Sequence, residues 1–175
     1  GIQNYITMKN IRFDEQPFQL AAINAIADIF DGQYAADSQK LFEIQAKFAQ
    51  DDSLLAGLTQ DFTIRGNSIQ VSDEMLVKNL REIQERNGIE PVSAAESLKN
   101  GRNYTIEMET GTGKTYVYIR TALELARRYG WRKFMIVVPS IAIKEGVANA
   151  IETMRGHLES IYDDVGYFNA SVYNS

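Results

Sequence analysis

The sequence predicts an α/β protein: a parallel sheet with flanking helices, preceded by a mixed region of helices and a hairpin. Three observations carry this. From residue 104 onward the chain runs as an apolar extended stretch, a glycine-rich loop, a helical pattern, a second apolar stretch and another helical pattern. A strand, helix, strand order of this kind needs a crossover, which makes the two strands parallel. The second apolar stretch contains "FMIVV", continuous rather than alternating, as expected of a strand covered on both faces. Finally, the composition is that of an ordinary globular domain, 45% hydrophobic and 23% charged.

The elements follow in order. Residues 14–32 predict a helix. Pro17 suits its first turn, where a missing N–H costs nothing, and Leu20, Ile23, Ala27 and Phe30 recur at helical spacing before Gly32. Residues 38–50 predict a second helix, with Leu41, Ile44 and Phe48 on one side and Ser38 as N-cap. Residues 62–71 predict a hairpin about Gly66-Asn67. A helix over residues 72–88 turns Leu76, Leu80 and Ile83 inward and stops at Asn87-Gly88. Ser93 and Glu96 form a capping box for a short helix that closes at Gly101. Then come a strand at Tyr104–Met108, a loop at Glu109–Gly113, a helix ending at Gly130, a strand over Lys133–Pro139 and a helix over Ile141–Gly156. The chain has no internal repeat and no low-complexity segment.

The 175 residues suffice for one domain with a core. Against 23 acidic side chains stand 18 Lys and Arg, a formal net charge of -5. An acidic total gives no bulk electrostatic reason for a nucleic-acid partner, so such a partner needs a local patch. With no cysteine there are no disulfides and no thiolate zinc sites, which fits a reducing cytoplasm. The longest apolar run is too short to span a bilayer, and the N-terminus lacks a signal-peptide layout, so no membrane role is expected. The chain begins at Gly1 and stops at Ser175 without a structural terminus, which predicts a piece of a longer protein.

The stretch "METGTGKT", Met108 to Thr115, carries the chemistry. Gly111 and Gly113 let the backbone turn its N–H groups inward and put no side chain in the way of a ligand. The following helix N-terminus adds roughly half a positive charge. Together they form a concave anion cradle, to which Thr110 and Thr112 belong. Lys114 can reach the outer phosphates and serve catalysis there, and the Thr115 hydroxyl can face Mg2+. A plain glycine turn would serve the connection equally well. The strand before and the helix after are the context that a phosphate loop requires.

The general phosphate-loop pattern has Gly where Met108 stands. "METGTGKT" instead resembles the first motif of superfamily-two helicases and translocases, in which that position varies. Met108 is then expected to close the strand and pack under the loop. "METGTGKTYVYIRTALEL" followed by "KFMIVVPSIAIKEGV" resembles the Res subunit of Type III restriction enzymes, most specifically over Tyr104 to Val147. The resemblance implies the first part of a RecA-like P-loop NTPase domain over residues 101–175, truncated, with an α/β insertion before it over residues 33–100. It implies an N-terminal, ATP-binding part of a DNA-dependent ATPase and translocase that couples ATP hydrolysis to movement on DNA and to cleavage. ATP and Mg2+ are the implied cofactors. Double-stranded DNA and a Mod methyltransferase subunit are the implied partners.

The resemblance also implies roles for residues outside the loop. Within the segment 1–32, "FDEQPFQLAAINAI" resembles the adenine-reading glutamine motif, with Gln19 as the reader and Phe13 or Phe18 as ring-stacking candidates. Gln19 as a solvated helix residue and the phenylalanines as core are the alternatives. Pro139 and Ser140 match a loop that contacts a DNA strand; Ser140 as an ordinary N-cap is the alternative. Asp163-Asp164 reads as a solvated turn rather than a catalytic acidic motif, and His157 is a lone histidine. Arg127, Arg128, Arg132 and Lys133 read as cations favouring a helix C-terminus, with Trp131 a partly exposed cap contact, and "YVYI" reads as core. Two other functions stay open: the motor of another superfamily-two enzyme, of Type I restriction or repair, and a nucleotide-binding switch with no motor.

Overall fold

The computed structural model describes residues 14–33, 68–165 and 172–174. Their elements run α1 (Pro17–Asp28), α2 (Asp73–Arg86), α3 (Ala94–Asn100), α4 (Lys114–Tyr129), β1 (Ile136–Val138), α5 (Ile141–Ile161) and β2 (Val172–Asn174). The expected helix over residues 38–50, and the first strand and turn of the expected hairpin, lie outside the described residues.

Helix starts follow local chemistry. The hydroxyls of Ser72, Ser93 and Ser140 accept from the backbone N–H of Met75, Glu96 and Ile143 and so cap α2, α3 and α5. Pro17 opens α1 at its first position. Helix α1 stops at Asp28, and turns carry the chain on to Gly32. The buried Asn79 of α2 donates its side-chain amide to the Ile29 and Asp31 carbonyls at 2.9 and 3.0 Å. Carbonyls released where α1 ends thereby find a partner.

Among the described residues two apolar clusters make the core, and α4 belongs to both. One joins Tyr116, Ile119 and Leu123 of α4 to Val138 of β1 and to Val147, Ile151 and Leu158 of α5. The other joins Leu125 and Tyr129 of α4 to Ala27 and Phe30, to Leu76 and Ile83 of α2, and to Trp131. Trp131 is only 7% exposed and meets the Phe30 ring edge-on at 4.8 Å, so it is core and not the partly exposed cap contact expected. Its indole is wide enough to bridge the gap between α1 and the end of α4.

Helix α1 lies along α4. Buried Ile23 and Ala27 supply the apolar seam, and Arg128 ties the polar rim, donating to Glu124, Asp28 and Asn24 at 2.8, 2.6 and 2.7 Å. Burial of one isoleucine is worth about 2 kcal/mol, whereas a partly exposed ion pair is worth about 0–1 kcal/mol. The seam therefore holds α1 in place, and Arg128 sets where along α4 it sits.

The sheet differs most from expectation. Strands β1 and β2 pair in parallel, with Ile136 opposite Val172, so the strand–helix–strand unit is β1–α5–β2. The expected strand at Tyr104–Met108 is irregular, as is the Ser68–Val71 stretch of the expected hairpin. No strand among the described residues pairs with either. An extended segment without a ladder leaves its N–H and C=O groups without strand partners, and composition alone cannot supply the neighbour. The expected strand over Lys133–Pro139 shortens to Ile136–Val138. It is also not covered on both faces: Val138 is buried against α4 and α5, while Val137 is 61% and Met135 72% exposed. The helix expected to end at Gly156 continues to Ile161.

Candidate functional site

The loop from Thr110 leads directly into α4. Gly111 and Gly113 hold φ of 80° and 83°, the left-handed region that side-chain-bearing residues avoid. Gly113 is itself the N-cap of α4, and no side chain caps that end. The first-turn amides are thus left without the side-chain acceptor that α2, α3 and α5 each have. Thr112 Oγ1 donates to the Glu109 carbonyl at 2.6 Å and closes the loop on itself. Lys114 is exposed and makes no ion pair with any described residue; Thr115 is half-buried at the start of the helix. Met108, which no strand accommodates, is half-buried just ahead of the loop.

Gln19 reaches this loop from far upstream. Its side-chain amide donates to the Thr112 carbonyl at 2.9 Å across 93 positions of sequence. A Cβ on Gly113 would stand 2.6 Å from the same nitrogen, so a larger residue there would push the flexible Gln19 side chain aside, while the positive φ is what favours glycine. The Gln19 carbonyl oxygen keeps its acceptor capacity toward the described residues, as an adenine-reading amide needs. Of the two phenylalanines, Phe18 is exposed beside Gln19 on α1 and Phe13 lies outside the described residues.

Pro139 and Ser140 lie between β1 and α5, with the Ser140 hydroxyl accepting from Ile143 N at 3.3 Å. Asp163 and Asp164 are exposed in a turn after α5. "YVYI" is core as expected, with Tyr116, Val117 and Ile119 buried. Arg127 and Arg128 do stand in the last turn of α4, but they also bind Glu124.

The polar network behind the loop was not legible from motifs. Arg120, buried on α4, donates to Glu15 Oε1 at 3.0 Å, to the Tyr116 hydroxyl at 3.1 Å and to the Tyr162 hydroxyl at 3.2 Å. The Tyr116 hydroxyl also meets His157 Nε2 at 2.8 Å. Burial, reinforced by the neighbouring Arg120 charge, lowers the His157 pKa. Burial pushes the Tyr162 phenol up to about 12, so it stays protonated. The one signal in the sequence was an arginine at the same helical face as Tyr116 and Leu123, where an apolar residue would be ordinary.

Chemically, the glycine loop, the uncapped helix start, the ammonium of Lys114 and the hydroxyl of Thr115 form a donor set suited to a magnesium polyphosphate. Among the described residues no group of three or more His, Asp or Glu side chains is placed to hold a metal ion.

A family model described as "Type III restriction enzyme, res subunit" matches residues 16–167. The Type III restriction-modification enzyme EcoPI Res subunit of Escherichia phage P1 is 28% identical over 158 residues, covering 89% of this chain and 14% of that protein. The EcoP15I Res subunit of Escherichia coli is 32% identical over 112 residues, covering 60% of this chain and 11% of its own. The StyLTI Res subunit of Salmonella typhimurium is 50% identical over 64 residues, 35% of this chain and 6% of its own. The chain thus spans 14% or less of the length of these relatives.

Proposed function

Because the chain belongs to the Res-subunit family of Type III restriction enzymes, we propose that it is the ATP-binding part of a DNA-dependent ATPase and translocase acting in restriction. The observation that carries the reading is the contact between Gln19 and Thr112, which sets a candidate base reader against a candidate phosphate loop. In this reading residues 101–175 begin a RecA-like motor domain, residues 1–32 bring the adenine-reading helix, and residues 33–100 are inserted between them.

The residues divide the work by position. Backbone amides of Thr110–Gly113 and the first turn of α4 bind phosphate oxygens. Lys114 neutralises the outer phosphates and stabilises charge that builds up during transfer. The Thr115 hydroxyl would hold Mg2+, which when bound would supply positive charge to offset that of the phosphates. Gln19 reads the adenine edge. Pro139 and Ser140 contact the backbone of double-stranded DNA, through a hydroxyl and the amides at the start of α5. A Mod methyltransferase partner reads the DNA site, and ATP hydrolysis drives movement and licenses cleavage in the cytoplasm.

The test is titration of the full chain with a fluorescent ATP analogue and Mg2+, alongside Lys114→Ala. Saturable binding that the substitution abolishes supports the reading. Equal binding by both proteins removes the loop as the site. DNA-stimulated phosphate release by a full-length Res-like protein that contains these residues, rather than by residues 1–175 alone, distinguishes a motor from a switch.

A further inference from the structure

We propose that Glu15 and Arg120 are a pair of positioning residues that hold Gln19 in its base-reading place on the loop; the proposal rests on the nucleotide reading above. Arg120 is 5% exposed, and a guanidinium so enclosed requires a counter-charge. Its bonded partners are two neutral phenols, Tyr116 and Tyr162, and one carboxylate, Glu15, among the described residues. Glu124 is turned to Tyr162, Arg127 and Arg128 instead. The charge therefore pins Glu15, although Glu15 is itself 42% exposed.

Pinning Glu15 fixes the start of α1. The N-cap of α1, Gln16, makes no side-chain capping bond, so the helix has no cap of its own to set its first turn. The Gln16 carbonyl accepts from the backbone N–H of Gln19 at 3.0 Å, which places Gln19 one turn from the pinned carboxylate. Gln19 reaches the loop through a single hydrogen bond, to Thr112. The first turn of α1 is consequently held at two points, both belonging to the stretch that contains the phosphate loop and α4. Without the Glu15 tie, the Thr112 bond alone must orient a rotamer-rich amide toward a base.

Affinities of the full chain for fluorescent ATP and GTP analogues and for inorganic tripolyphosphate, all with Mg2+, test this in Glu15→Gln, Gln19→Ala and the double variant. The expected result in Glu15→Gln is a roughly three- to tenfold loss for ATP, the worth of one hydrogen bond, with GTP and tripolyphosphate unaffected. The double variant should match Gln19→Ala alone, because Glu15 acts through Gln19. An unchanged ATP-to-GTP ratio in Glu15→Gln, equal loss for all three ligands, or a further loss in the double variant overturns the proposal. If Lys114→Ala binds ATP as the wild type does, the nucleotide reading falls and takes this proposal with it. If Lys114→Ala loses binding while Glu15→Gln keeps its base preference, only the positioning pair is refuted.

Discussion

Gly113 and Gln19 occupy adjoining space: a methyl group added to the glycine would stand 2.6 Å from the glutamine's side-chain nitrogen. The left-handed φ of 83° constrains the glycine itself, and the close approach means that any side chain added there must move the Gln19 amide. Gly113→Ala is predicted to destabilise the protein by about 1–2 kcal/mol through backbone strain and to displace Gln19 from Thr112. Thermal melting with nucleotide titration checks it. An alanine variant that melts and binds like the wild type would mean that the loop adapts freely.

Lys114 is exposed and makes no ion pair with any described residue. For Lys114→Ala we predict ligand-free stability within about 0.5 kcal/mol of wild type, as for surface changes generally. A rise in melting temperature with ATP-Mg is predicted for the wild type by mass action and should be absent in the variant. Differential scanning fluorimetry with and without nucleotide measures both, and an equal ATP-induced rise in the two proteins contradicts the site.

Trp131 makes the opposite prediction. Buried between Phe30 and Tyr129, its loss in Trp131→Ala should cost about 3–5 kcal/mol, the range for large aromatic truncations. Chemical denaturation gives the value directly. A cost below about 1 kcal/mol is incompatible with a core role.

Glu124 predicts a pH response. Burial alone would raise its pKa, but hydrogen bonds from Arg128, Arg127 and Tyr162 outweigh burial and lower it. A carboxylate whose folded pKa lies below its unfolded value contributes stability that is complete above the unfolded pKa and is lost as pH falls through the folded one. Stability should therefore decline on acidification below about pH 4.5, the ordinary carboxyl range. Glu124→Gln should flatten that part of the pH profile. A variant with the wild-type slope would assign the acid sensitivity to other groups.

Residues 1–175 tested by themselves are predicted to bind ATP-Mg weakly and to turn it over negligibly. Asp163 and Asp164 are exposed in a turn, and in-line attack needs a positioned water and charge stabilisers beyond Lys114, which the glycine loop alone does not supply. Robust DNA-stimulated phosphate release by these residues would contradict the prediction.

What could be read from the sequence was what neighbours in the chain decide. Ser72, Ser93 and Ser140 cap their helices through bonds spanning three residues, so their role is visible in a short window. The glycines around Thr112 announce a bend for the same reason. Tyr104–Met108 has the composition of a strand, but a strand exists only with a partner, and partners are set by tertiary structure. Trp131 sits among charges in sequence, yet Arg128 donates to Asp28 and Arg132 to the Val165 carbonyl while its ring faces Phe30. Resemblance to a family singled out Gln19 as a base reader, but its bond to Thr112 came only from the structure, since nothing local links residues so far apart.

Helix α4 lends one stretch of residues to the cluster containing α5 and another to the cluster containing α1 and α2. It is an axle with a load at each side and the glycine bend at its tip. Neither half of the core can loosen without tilting that shaft, so the described body should melt as one cooperative unit, and a grip on the tip should be felt at both ends.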